Sequence, residues 1–91
     1  MRLYIEKVVA EYVLHGLGLE PIVRAQITEL IEPKDTFKFQ WAISHHYCPS
    51  ESAGIYIPSK ISAETFQEAK DLLFLYMKGF TSIGIEPNPY Y

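Results

Sequence analysis

The chain is poor in the features that mark most small functional classes. It has one cysteine, Cys48, so no internal disulfide can form. A zinc module would want three or four Cys or His ligands at regular spacing, and that pattern is missing. Its eight basic residues are scattered between Arg2 and Lys78 rather than clustered, and the net charge is −3 with a pI near 5.5. A protein that gains affinity by neutralising phosphates needs the opposite balance. The longest apolar run, Leu72 to Met77, falls far short of the roughly 20 residues that span a bilayer. Glu6, Lys7 and Glu11 interrupt the N-terminal stretch that would otherwise resemble a signal peptide. Neither export nor membrane insertion is expected, and the cytoplasm is the expected compartment. "GLGLE" at 16–20 lacks the third glycine and the lysine of a nucleotide-binding loop. Glu29, Glu32 and Asp35 gather at a predicted turn, where solvation would deny them paired acid/base chemistry.

What is present is bulk. Nearly half of the 91 residues are apolar (48%) and 14% are aromatic, well clear of the low hydrophobicity and high charge that mark disorder. A chain of this length buries roughly 60 to 65% of its extended surface, enough for one modest core. The reading is a single α+β domain over 1–80, followed by a Pro- and Tyr-containing tail over 81–91.

The spacing of Phe66, Ala69, Leu73, Met77 and Phe80 predicts a helix over 62–78. Ser62 is its expected N-cap, Ile61 and Phe66 form a hydrophobic staple, and Gly79 is the stop. Segments 21–31 and 36–47 alternate apolar and polar residues, predicting a hairpin turned at "EPKDT", and "GIYIP" (54–58) predicts a third short strand. Residues 3–15 are read as a helix, with a strand as the alternative, because Tyr4, Ile5, Val8, Val9, Tyr12 and His15 line one helical face yet are β-formers. The predicted architecture is therefore a three-stranded antiparallel sheet packed against two helices, in the order α-β-β-β-α. That order resembles the plan of double-stranded-RNA-binding domains, but Glu64 and Glu68 stand where such domains carry phosphate-binding bases, so nucleic acid is not the expected partner.

Two sets of residues are candidates for function. "AISHHYCPSE" (42–51) places His45, His46 and Cys48 together. Strand alternation turns His46 and Cys48 to one side, a chemically sensible metal pair that would need His15, Glu51 or a second subunit to complete it. The same residues admit a thiol nucleophile, but no oxyanion-binding turn or orienting third group accompanies Cys48. A strand leaving the core, stopped by Pro49, explains the run without any site.

The second set concerns interfaces. With Leu73 at the centre of the buried helix face, Phe74 and Leu72 lie about 100° to either side and Leu75 nearly opposite. Leu75 has a local explanation, packing on Phe80 at the helix end, whereas Phe74 has none. Together with Tyr90 and Tyr91, these residues exceed what one small domain is expected to cover. The expected function is a non-enzymatic interaction module without cofactor, self-associating as a homodimer or docking on a larger protein. The alternative is a metal-binding or small catalytic protein centred on His45, His46 and Cys48.

Overall fold

The computed structural model of the chain describes residues 4–16, 21–32 and 38–91. Among these residues six strands and one helix follow in the order β1 (Ile5–Leu14), β2 (Val23–Glu32), β3 (Phe39–Ile43), β4 (His45–Tyr47), β5 (Ser62–Ala63), α1 (Phe66–Lys78) and β6 (Ile85–Pro87). Strands β1, β2, β3 and β5 form one antiparallel sheet in that spatial order, and β4 pairs with β6 in a second, two-stranded sheet. The expected α-β-β-β-α plan is thereby overturned: one helix covers the main sheet, and the N-terminal element is a strand.

Residues 5–14 are extended because Ile, Val and Tyr suit a pleated, half-buried surface and because β2 offers a full-length partner. The strand is not regular. Val8 stands opposite Thr28 and Ala10 opposite Ile27, which leaves Val9 as an extra residue in a β-bulge. After the bulge, Ala10, Tyr12 and Leu14 turn toward the helix and pack on the core.

Strands β2 and β3 pair as their alternation predicts, with Ile27 opposite Trp41 and Ala25 opposite Ile43. Val23, Ile27, Trp41, Ile43 and Leu73 are fully enclosed and make the centre of the core. Each such side chain withdrawn from water contributes about 1.5–3 kcal/mol. The turn expected at 33–37 and the connector at 17–20 lie outside the described residues.

The strand expected over 36–47 does not run through. Ser44 breaks it: its N–H donates to Arg24 O (2.7 Å), its Oγ accepts from Arg24 N (2.8 Å), and its own carbonyl accepts from Asn88 N (2.8 Å). The chain leaves β2 at this point and takes β6 as its new neighbour. The segment 54–58 is likewise not a strand but makes a single bridge, Tyr56 to Tyr47.

The helix starts later than the sequence suggests. Ser62 and Ala63 are taken by pairing with Gln40 and Phe39, so the cap falls to Thr65, whose Oγ1 accepts from Glu68 N at 3.1 Å. Ile61 sits outside the helix entry, 37% exposed, instead of stapling Phe66. At the other end Gly79 has φ −84°, in the ordinary helical region, and Phe80 packs on Tyr47 (ring centroids 4.8 Å) and Tyr76 (5.7 Å). The cap that would have joined Leu75 to Phe80 is absent, and Leu75 is 72% exposed. No helix among the described residues is long and apolar enough to cross a membrane.

Candidate functional site

The run 42–51 becomes the edge of an aromatic cluster. Tyr47 is buried, with its ring 5.0 Å from Tyr76 and 5.7 Å from Tyr56, and the Tyr76 hydroxyl donates to the Tyr56 carbonyl. Burial is the main cause that raises the Tyr76 phenol far above its usual value, and it also raises Tyr47. Both hydroxyls hold their protons through the physiological range.

His45 and His46 have different surroundings. His45 Nδ1 lies 2.8 Å from Ser44 Oγ, while the His46 ring stands edge-on to Tyr76 at 6.3 Å. Burial, and then the neighbouring His45 charge, lowers the His46 pKa from its usual value. Cys48 is tied through its backbone: its N–H donates to Gly84 O (2.8 Å) and its carbonyl accepts from Thr81 Oγ1 (2.6 Å). A Cβ at Gly84 would lie 2.9 Å from the Cys48 sulfur, so the thiol packs against that backbone. His15 is exposed just beyond β1. No group of three or more His, Cys, Asp or Glu able to hold a metal ion occurs among the described residues.

The five residues read as a partner surface are separated by the fold. Phe74 meets Tyr12 of β1 edge to face at 4.9 Å, with the Lys70 ammonium 5.6 Å from its ring centroid. Leu72 and Leu75 line a different cavity, beside the segment 56–60. Tyr90, 94% exposed, borders the face of the main sheet away from the helix, and Tyr91 lies close enough to Glu11 and Arg24 for their charges to act on its phenol. Phe74 is thus half-buried by its own chain, and it marks a position beside β1 rather than the centre of a single patch.

Two further features bear on function. The first, which the sequence reading missed, is the outer edge of β1, a ten-residue strand paired on one side only among the described residues, with Ile5, Val8 and Val13 each about half exposed. Its β-branched composition is the signal that could have revealed it. A groove of about 270 Å³ follows the strand on the helix side, between Tyr12, Val13, Leu14 and Phe74. The second is the open face of the sheet. There a groove of about 440 Å³ has Gln26, Thr28, Gln40 and Ala42 as its floor and Ile57, Ile61 and Tyr90 at its margins.

No family model, curated protein or solved structure matches this chain.

Proposed function

We propose that this protein is a non-enzymatic interaction module that pairs with a second copy of itself along the outer edge of β1. The observation that carries this reading is the edge itself. A ten-residue strand with one neighbour among the described residues presents to them a row of unpaired backbone N–H and C=O groups about 30 Å long, which is a template for another strand. Natural edges are commonly kept short or closed with proline; β1 is long and contains none. The pairing with β2 shifts register between Ile5 and Glu6 and again at the Val9 bulge, leaving Ala10–Leu14 regular.

A second copy supplies a strand of matching length in antiparallel orientation, as a closed two-fold dimer requires. A register with Glu11 across from the partner's Glu6 sets like charges together and is disfavoured. Shifting by two residues sets Val13 across from the partner's Glu6 and Tyr12 across from the partner's Lys7. This relieves the repulsion and keeps each side chain on its own face of the joined sheet. The Phe74–Tyr12 groove lies beside this seam, so strand pairing would also cover the apolar flank of the helix.

Sedimentation velocity between about 2 and 100 μM tests the proposal. The wild-type protein is expected to sediment as a concentration-dependent dimer, and Val8→Glu/Val13→Glu, which sets glutamates across from the partner's Glu11 and Glu6, as a monomer with an unchanged circular dichroism spectrum. A wild-type monomer throughout, or glutamate variants that associate as tightly, would overturn it.

A further inference from the structure

The groove of about 270 Å³ beside β1 takes its walls from two elements, Tyr12, Val13 and Leu14 of the strand and Phe74, Met77 and Lys78 of the helix. β2, which borders β1 on its paired side, contributes none of its described residues to these walls. The groove therefore opens past the outer edge of β1, where a partner strand would lie. Lys78 is the one charge among its lining residues, so an apolar side chain suits the space and a second cation does not.

Which side chain arrives there follows from the bulge. Alternation puts Ile5 and Lys7 on the helix side of β1 before Val9, and Ala10, Tyr12 and Leu14 on that side after it. A two-fold antiparallel pair must set an odd-numbered residue from one half of the strand across from an even-numbered residue of the other half, or inward and outward side chains would face one another. The register with Val13 across from the partner's Glu6 meets this condition. It also sets Tyr12 across from the partner's Lys7 and Leu14 across from the partner's Ile5. Directly opposed residues have Cβ atoms about 4.5–5.5 Å apart, which brings that isoleucine to the open side of the groove. In the single chain Ile5 is 55% exposed, and its neighbour on this face, Lys7, keeps its charged end in water.

Resting on the edge-to-edge dimer proposed above, we infer that the partner's Ile5 is the anchor of the interface, seated between Tyr12, Leu14, Phe74 and Met77. The two-fold axis repeats the contact at the other end of the seam, so the ends of β1 rather than its middle hold the two copies together on the helix side.

Ile5 and Leu14 stand at opposite ends of a ten-residue strand, about 30 Å apart, so contact between Ile5 and the groove cannot arise within one chain. Isotope-filtered NOE spectra of ¹³C-labelled protein mixed with unlabelled protein are expected to show cross-peaks from the Ile5 methyls to the Phe74 ring and the Met77 methyl. Ile5→Ala should raise the dimer dissociation constant about a hundredfold, a tenfold loss at each of two equal contacts. Ile57→Ala, at a 67% exposed position on the margin of the open-face groove, should leave it unchanged. A wild-type dimer without these cross-peaks, or an Ile5→Ala dimer as tight as wild type, would overturn the anchor and leave the strand-edge dimer standing. A wild-type monomer would overturn both.

Discussion

The phenol of Tyr47 occupies the space in which the side chain of any residue other than glycine at position 79 would have to begin. A Cβ built on Gly79 falls 2.9 Å from Tyr47 Cζ and closer still to its hydroxyl oxygen. Glycine is needed here for the approach of a neighbour, since the backbone at φ −84° suits any residue.

Gly79→Ala is therefore expected to destabilise the protein by about 1–3 kcal/mol through overpacking. At an unobstructed position with the same backbone the change would stabilise it by up to about 1 kcal/mol. Urea unfolding measures the sign. Adding Tyr47→Phe should recover part of the loss, because the nearest obstructing atom goes while the ring carbon stays. A stabilised Gly79→Ala protein would contradict the packing described.

Ser44 should behave as a joint between the two sheets. Its Oγ accepts from Arg24 N and touches His45 Nδ1, so Ser44→Ala leaves a β2 donor unmet and is expected to cost about 1 kcal/mol. Ser44→Thr, which keeps the oxygen, should cost less. Native-state hydrogen exchange is the sharper readout: the Arg24 amide should exchange faster in the alanine variant while amides in α1 keep their protection. Uniform acceleration across the chain would point to general weakening instead.

Acid and alkali should act through different residues and with opposite sign. His46 titrates below its usual value of 6.5 in the folded protein, so the unfolded chain binds more protons once the pH falls below about 6.5, and stability declines from there toward the folded pKa. Tyr76 is shifted up from its usual value of 10.0. Its contribution is complete below about pH 10 and is lost as the pH climbs above that. Urea midpoints between pH 7.5 and 5 should fall less steeply for His46→Gln than for wild type. Absorbance at 295 nm on the alkaline side should show one tyrosine ionising only as the fold is lost. An acid slope unchanged by His46→Gln would assign that limb to other groups.

Parts of this structure are legible in the residues and parts are not, for identifiable reasons. The β2–β3 pairing follows from Val23, Ala25 and Ile27 facing Trp41 and Ile43 across two regular alternations. The body of α1 follows from Ala69, Leu73 and Met77. Its start was misplaced because Ser62 and Thr65 can both cap, and only the pairing of Ser62 with Gln40, more than twenty positions away, excludes the former. The break at Ser44 depends on Asn88 and Arg24, partners that no local pattern announces. The candidate sites have the same character. The His45, His46 and Cys48 run is conspicuous on paper, yet the fold turns it into backbone ties and a tyrosine cluster. The cavity beside Leu72, Leu75 and the segment 56–60 is assembled from β3, β4, that segment and α1.

The bulge at Val9 acts like a frameshift in the side-chain code of β1. Upstream of it, the even-numbered Glu6 and Val8 share a face with Thr28; downstream, the even-numbered Ala10, Tyr12 and Leu14 share the opposite face with Ile27, Ala25 and Val23. An unbroken strand of the same ten residues would have to put Glu6 and Tyr12 on one side, either drawing a carboxylate under the helix or turning an aromatic ring away from Phe74. One unpaired valine lets both halves satisfy their surroundings, and it also spreads the apolar residues over intervals that mimic a helical repeat.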